Sequence, residues 1–467
     1  MILRSIDAVI RMLDADLIEG GDLDAMISGV STDSRSCGRG SLFIPLVGAH
    51  FDGHDYAAQA VAQGAAAMLW QKDHPDHPHG VPIIGVEDTL QALQQLASAY
   101  RDELDLVVIG ITGSNGKTSV KDILTSMLTQ RYATSKTKGN RNNEIGVPLT
   151  LLELSDDDQV AVVEMGMENL GEIDLLTRMV KPDIAIITNV GEAHLENLGS
   201  VANIARAKAE IVHGLKENGV LLYNGEQEVL EAALARESLP EGTTVESFGS
   251  SPQQDLFCYG EIRQDAEGIR FCTNLMAEEV FMNIYGAHQV LNALPAIYAA
   301  KALGLSEAEI LAGLAHIEKT AMRNDVIAVR SGWILDDSYK SNRQSALAAL
   351  KTLHDFDVPR RVAVLSDMLD MGEAGPMLHY ALGKAVAGYG IDRLCTWGEM
   401  SRFTAQGAIN AGMRDVTHYE TKEELQEAVR SELDAPCMIL IKGSRGMHMD
   451  SVVTALSAKD KGSVEHE

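Results

Sequence analysis

The densest chemistry in the chain lies in eight consecutive residues, Thr112-Gly113-Ser114-Asn115-Gly116-Lys117-Thr118-Ser119, set between an apolar run and an amphipathic one. Gly113 and Gly116 permit a tight turn that brings backbone N–H groups onto phosphate oxygens, and the helix that follows adds its positive N-terminal dipole. Lys117 is placed to reach the β- and γ-phosphates of a nucleotide, and the Thr118 hydroxyl to ligate Mg2+. Ile111 stands where the common G-x-x-x-x-G-K-[ST] loop has its first glycine, so this is a G-x-x-G-K-T variant. Its bland alternative is a glycine-rich turn with a surface lysine.

Three further groups could converge on that loop. Glu164 ends the apolar run VAVVE, and His194 follows the run IAIITNV. In an open parallel sheet, ligands gather beyond the carboxyl ends of the strands, so both residues belong to the same edge as the loop. A carboxylate and a neutral imidazole there suit Mg2+ coordination, although His is an unusual ligand for that ion. Lys208 lies in the helical stretch IARAKAEIV; by period it can face the same edge, while its default reading is a solvated helix lysine. Asn140, Asn142 and Asn143 precede another apolar run and read equally as a turn cluster or a substrate-binding loop.

The elements that must position these groups follow from hydrophobic patterning. Runs at Leu106–Gly113, Gln159–Gly166, Asp183–Val190 and Gly219–Asn224 read as strands buried on both faces. Helical stretches at Val120–Gln130 and Val201–Leu215 alternate with them, which argues for an α/β sheet with helices on both faces. Upstream, Ser41–Leu46 and Val81–Asp88 read as strands. His54–Trp70 reads as a helix running toward a strand, and Thr89–Leu104 as a helix with a Thr cap. Downstream, Trp333–Tyr339, Arg361–Met368 and Cys437–Ser444 read as strands separated by helices. Three domains are expected, over residues 1–102, 103–325 and 326–467, and the polar tail AKDKGSVEHE is expected to fray.

Composition narrows the classes. The 467 residues are enough for two to four domains, and 45% hydrophobic with 23% charged content excludes a largely disordered chain. A net charge of −28 argues against a nucleic-acid partner or an anionic membrane surface. It does not prevent local phosphate binding, because a nest of N–H groups needs no net positive charge. The five cysteines form no C-x-x-C pair, which points away from a disulfide framework or thiolate zinc and toward a cytoplasmic protein. The first residues lack the apolar core of a signal peptide, and no run approaches the length of a membrane span.

Several longer strings strongly resemble the Mur ligases, ATP-dependent amide ligases of peptidoglycan precursor synthesis. They include STDSRSCGRGSLFIPLVGAHFDGHDY, GITGSNGKTS, TKGNRNNEIGVPLTLL, VEMGMENLGEIDLL, TNVGEAHLENLGS, YGAHQVLNALPA, LDDSYKSN, VLSDMLDMGE and ILIKGSRGM, and they span nearly the whole chain. The resemblance implies an α/β fold of three-domain Mur ligase architecture. Its central domain would hold a P-loop-type, mostly parallel sheet, and its C-terminal domain would be Rossmann-like. It implies an N-terminal domain for the UDP end of one substrate, a central ATP domain, and a third domain receiving an amine. Within the family the strings are most similar to the branch that joins D-alanyl-D-alanine to UDP-N-acetylmuramoyl-tripeptide, which implies those two small molecules as partners and a monomer.

Residue by residue, the resemblance matches Glu164 and His194 to Mg2+ ligands, two ions being implied, and Lys208 to a lysine that is carbamylated in many relatives. Lys117, Lys208 and His194 then carry the catalytic roles. His288 and Asn292 match positions near the adenine, and Arg323, Asp337 and Asn342 match interdomain positions that close on ATP. Ser31, Asp33, Ser34 and Arg35 match the loop that meets uridine. Two segments depart from the family. Ala321-Met322-Arg323 replaces P-G-R, and Tyr339-Lys340-Ser341-Asn342-Arg343 replaces Y-N-A-N-P, which adds a charge at Lys340. The rival readings are a Mur-type ligase with another acid or amine, and a Mur-like partner protein that binds nucleotide without ligating. An assay of amine acceptors decides the first, and phosphate release that needs both acid and amine decides the second.

Overall fold

The structure is a computed structural model and describes residues 1–457; the tail AKDKGSVEHE lies outside them. Its centre is a nine-stranded sheet. Seven neighbouring strands run parallel, in the spatial order Thr134–Lys136, Val160–Glu164, Val107–Thr112, Ile184–Ile187, Val220–Asn224, Thr244–Gly249, Leu256–Gln264. Two antiparallel strands, Ile269–Thr273 and Val280–Met282, extend one edge. The alternation of side chains along Val107–Thr112 divides the core. Ile109 and Ile111 join Ile123 and Leu294 on one face, and Val108 joins Val163, Leu151 and Ile173 on the other. Val107–Thr112 lies between Val160–Glu164 and Ile184–Ile187, with Ile111 paired to Glu164 and Thr112 to Ile187. Three strands therefore leave the sheet at one edge.

The N-terminal part holds a five-stranded sheet ordered Asp16–Glu19, Ile83–Val86, Ala67–Gln71, Leu42–Phe43, Val30–Ser31. Its core is continuous with one face of the central sheet, since Ile6, Leu69, Leu93 and Leu96 cluster with Val108 and Leu176. The helix Thr89–Glu103 is capped by Asp88, whose carboxylate accepts from Gln91 N–H at 2.8 Å. This corrects the expectation of a Thr cap: Thr89 is already helical. The strand expected over Ser41–Leu46 pairs only at Leu42–Phe43, because Pro45 has no N–H to continue a ladder. The helix expected over His54–Trp70 is a 3-10 turn Gly53–Tyr56, a helix Ala57–Gln63 and a strand Ala67–Gln71, broken at Gly64 with φ +107°.

The C-terminal part is a six-stranded sheet ordered Asp325–Val329, Gly332–Asp337, Cys437–Lys442, Arg361–Ser366, Arg393–Trp397, Val416–Tyr419, parallel except for the first pair. Separate apolar clusters cover its two faces, as in a doubly wound sheet. The connection into it takes left-handed backbone at two non-glycine residues, Met322 (φ +64°) and Asn324 (φ +51°). All five cysteines are free, and among the described residues no helix is long and apolar enough to cross a membrane.

Candidate active site

The segment Gly113–Gly116 turns the chain from the strand Val107–Thr112 into the helix Lys117–Leu128. Both glycines have positive φ, +149° at Gly113 and +84° at Gly116. A Cβ at Gly113 would stand 1.8 Å from the Thr188 Oγ1, and one at Gly116 2.4 Å from the Asn292 Oδ1, so the turn accepts nothing larger. The neighbouring loop fixes the turn: Asn115 N–H donates to the Asn189 Oδ1 at 3.0 Å and Ser114 N–H to the Asn189 carbonyl at 2.9 Å. No side chain caps the helix start at Gly116. Its first N–H groups stay available to an anion, with the helix dipole behind them. Lys117 folds back over the loop and donates to the Gly113 carbonyl at 2.6 Å. Burial pushes its ammonium down to about 8, and Lys340 and Arg323 add to this against Glu164.

Glu164 is buried at the end of its strand. Thr118 Oγ1 donates to its Oε2 at 2.9 Å and Asn142 Nδ2 to its Oε1 at 2.8 Å, and Lys121 Nζ lies 3.9 Å away. Burial works to raise this carboxyl, but Lys117, Arg323, Lys121 and the Asn142 bond outweigh it and hold it below the usual range. Across the site, His194 sits in left-handed backbone (φ +64°), with its Nε2 3.1 Å from the Lys340 Nζ. Burial and the cations Lys340, Lys117 and Lys208 push the imidazole down to about 3, so it is neutral. Lys208 is 2% exposed, not the solvated lysine of the default reading. Burial, reinforced by Lys117 and Lys340, pushes its ammonium well below the ordinary lysine range.

The C-terminal sheet closes the other wall. Asn342 caps the helix Arg343–Asp355 and donates to the Asn115 Oδ1 at 2.8 Å, so one residue serves both domains. Arg343 pairs with Glu192 at 3.1 Å, and the Arg323 guanidinium lies 4.3 Å from the centre of the Tyr339 ring. Lys442, 1% exposed at the end of its strand, pairs with Asp337 and donates to the Lys340 carbonyl at 2.9 Å. His288 Nε2 accepts from Asn324 Nδ2 at 3.3 Å. Between the walls is a cavity of about 830 Å3.

Gly113, Ser114, Asn115, Gly116, Lys117, Thr118 and Ser119 all line this cavity. So do Glu164, His194, Lys208, Asn140, Asn142, Asn143, His288, Asn292, Arg323, Asp337 and Asn342. Ser31, Asp33, Ser34 and Arg35 do not. They form a separate loop on the N-terminal part, where Arg35 pairs with Asp33 at 2.8 Å and Ser34 bonds Gln59 at 2.8 Å. Sequence reading passed over Lys121, Lys442 and Arg445. A signal existed for Lys442, a charge ending the apolar run CMILI; Lys121 looks like any amphipathic helix lysine.

The donor set can be tested against the implied metal. Thr118 Oγ1 and Glu164 Oε2 are hard oxygen ligands already 2.9 Å apart beside the phosphate loop, which fits Mg2+. His194 and Lys208 offer only nitrogen, next to Lys340, so a second ion there fits only if Lys208 acquires oxygen donors.

Three family models match the chain: Mur ligase family, catalytic domain at residues 26–101; Mur ligase middle domain at 111–300; and Mur ligase, glutamate ligase domain at 322–445. UDP-N-acetylmuramoyl-tripeptide--D-alanyl-D-alanine ligase of Bacillus subtilis (strain 168) is 39% identical over 459 residues, covering 98% of this chain and 99% of that protein. The ligase of the same name from Escherichia coli (strain K12) is 34% identical over 461 residues, covering 98% and 99%. A crystal structure of MurF from Acinetobacter baumannii superposes with a TM-score of 0.88 at 29% identity, over 98% of this chain and 99% of that one.

Proposed function

The chain belongs to the Mur ligase family, and from that premise we propose that it joins D-alanyl-D-alanine to UDP-N-acetylmuramoyl-tripeptide at the expense of ATP. The observation that carries this reading is the common cavity. A phosphate loop on the central sheet and cationic groups on the C-terminal sheet face one space large enough for a nucleotide and a second reactant.

The chemistry the residues support is activation of a carboxylate. The N–H groups from Gly113 to Thr118 and the Lys117 ammonium hold the triphosphate and offset charge on the moving γ-phosphoryl group. A Mg2+ ion at Thr118 and Glu164 would screen the repulsion between triphosphate and carboxylate. The substrate carboxylate attacks the γ-phosphorus, giving an acyl phosphate and ADP. The free amine of the dipeptide adds to the acyl carbon, and the adduct collapses to amide and phosphate. Lys340 and Arg323 line the same cavity as the phosphate loop and add positive charge to it. The contacts of Asn342 and Arg343 hold the third domain against the loop, which keeps water from the acyl phosphate.

Lys208 is read as a carbamylated residue. Its neutral Nζ adds to the carbon of CO2 and loses a proton, and the resulting carbamate presents two oxygens that share one negative charge, in the cavity that His194 also lines. The lowered ammonium pKa supports this, because only the free amine reacts. His288 and Asn292 are read as adenine neighbours, and the Ser31–Arg35 loop as the uridine contact. The three-domain division at 102/103 and 325/326, a monomer, and a cytoplasmic location complete the reading.

The test is a coupled phosphate-release assay against a panel of UDP-muramoyl peptides and dipeptide amines. Release that requires both a UDP-muramoyl-tripeptide and D-alanyl-D-alanine is expected. Release with nucleotide alone, or with a different acid or amine preferred, would overturn the assignment.

A further inference from the structure

A second concentration of histidines lies outside the cavity lining, in the sequence Asp73-His74-Pro75-Asp76-His77-Pro78-His79. This segment connects the strands Ala67–Gln71 and Ile83–Val86 of the N-terminal sheet. Among the described residues it forms two groups whose donor atoms lie within 4.8 Å of one another: Asp52, His54, His74, and Glu19, His77, His79.

The two groups differ in chemistry. In the inner one, the His54 Nε2 accepts from Gln71 N–H at 3.5 Å, which leaves the proton on Nδ1, 2.6 Å from Asp52. The His54 and His74 rings stack at 4.3 Å with 12° between planes, so their lone pairs run side by side and do not converge. That group is a hydrogen-bonded support under the loop.

In the outer group the donors face one another. The Glu19 Oε2 lies 2.6 Å from the His79 Nδ1 and 3.5 Å from the His77 Nδ1, and the two rings are turned 79° apart; the His77 Nδ1 also lies 3.1 Å from the Pro78 carbonyl, a contact that ion binding has to replace. A separation of about 3.4 Å is what two ligands of one tetrahedral ion with bonds near 2.1 Å require. His79 is 84% exposed and free to open by the fraction of an ångström that the closer contact needs. Gly80 N–H donates to the Glu19 Oε1 at 3.0 Å, which orients the carboxylate with Oε2 toward the histidines. Pro75 and Pro78 restrict the loop and lower the entropy lost when it is clamped. Two imidazoles and a carboxylate with open positions suit Zn2+ and its first-row neighbours, not Mg2+.

We propose that Glu19, His77 and His79 form a surface site for a divalent transition ion of the Zn2+ class, which ties the 72–82 loop to the edge strand Asp16–Glu19. It is independent of the ligase reading and of the Mg2+ positions.

The test uses the untagged full chain with excess Mg2+ and a non-hydrolysable ATP analogue, so that the central cavity is masked. Zn2+ titrated calorimetrically should bind at one ion per chain. The double variant His77→Ala/His79→Ala should weaken binding at least about 30-fold, and Glu19→Gln about tenfold. Phosphate release by these variants should stay within about twofold of the unaltered chain. Cu2+ gives a local readout, because the Trp70 ring is 6.5 Å from that of His77. Quenching of Trp70 emission should saturate at one equivalent, vanish in the double variant, and disappear in Trp70→Phe while Zn2+ binding persists. No Zn2+ binding under these conditions, or binding unchanged in the double variant, overturns the proposal. So does binding lost in His74→Asn and retained in the double variant, which would place the ion at the inner group.

Discussion

The two walls of the cavity are made of the same kind of edge, the carboxyl ends of parallel strands, yet they hold charge in opposite ways. On the central wall the polar groups are locked by their neighbours: Glu164 by Thr118 and Asn142, the loop by Asn189, Lys117 by the Gly113 carbonyl. On the C-terminal wall key side chains reach across the gap for a partner, the Lys340 ammonium to His194 and the Asn342 amide nitrogen to Asn115. Two buried atoms at the joint, the Arg323 Nε and the Asn324 Oδ1, have no partner at all. One wall is preorganised for phosphate, and the other is completed by closure. The difference matters because a reaction that must exclude water needs a rigid half to bind and a movable half to seal.

The largest effect that could break this comparison lies on the rigid wall. Lys117→Ala removes the cation nearest the loop, so kcat for ligation should fall by about 10³-fold, with circular dichroism and melting temperature nearly unchanged. Full activity in that variant would refute the assignment of the loop. On the movable wall the effect should be smaller. Lys340→Asn leaves the phosphate loop intact and removes the charge facing His194; kcat should fall about tenfold while nucleotide affinity, read by calorimetry, moves less than about threefold. A loss of nucleotide binding equal to the loss of kcat would show that Lys340 belongs functionally to the first wall.

Much of the first wall was legible because it is local. A buried run, two glycines, a lysine and a threonine adjoin in sequence, and Glu164 and His194 each follow an apolar run whose end the parallel topology brings to one edge. The second wall was less legible because its contacts are distant in sequence. Nothing in the segment Tyr339–Arg343 indicates that its lysine reaches residue 194, 146 positions away. The burial of Lys208 was hidden for a related reason: a helix lysine at the right period is solvated or buried according to what packs over it. The antiparallel strands Ile269–Thr273 and Val280–Met282 alternate buried and part-exposed residues and gave no long apolar run. Asp88 was overlooked as a cap because Thr89 beside it is also a good cap residue.

A pH measurement sharpens the comparison at the joint. Burial, together with Lys442 and against Asp337, pushes His288 down to about 4. The unfolded chain takes up this proton near pH 6.5, before the folded one does. Stability from this residue is therefore fully present above about pH 6.5 and is lost as pH falls toward 4. Melting temperature should drop between pH 7 and pH 5, and His288→Gln should flatten part of that drop. An identical pH profile in the variant would mean that His288 is not held neutral by the closed joint.

The smallest expected effect isolates closure itself. Arg343 and Glu192 meet across the gap through two bonds of 3.1 and 3.2 Å, both side chains partly exposed. Such a pair contributes about 0.5 kcal/mol, screened by salt, so each single alanine variant should lower kcat/KM only about twofold. The informative quantity is the coupling in a double-mutant cycle. If the pair acts by holding the third domain closed, Arg343→Ala should have no further effect in a Glu192→Ala background, and the coupling should disappear at 0.5 M salt. Full additivity at low salt would mean that the bridge does not contribute to closure, leaving the part-buried contacts of Asn342 and Lys340 to hold the domain in place.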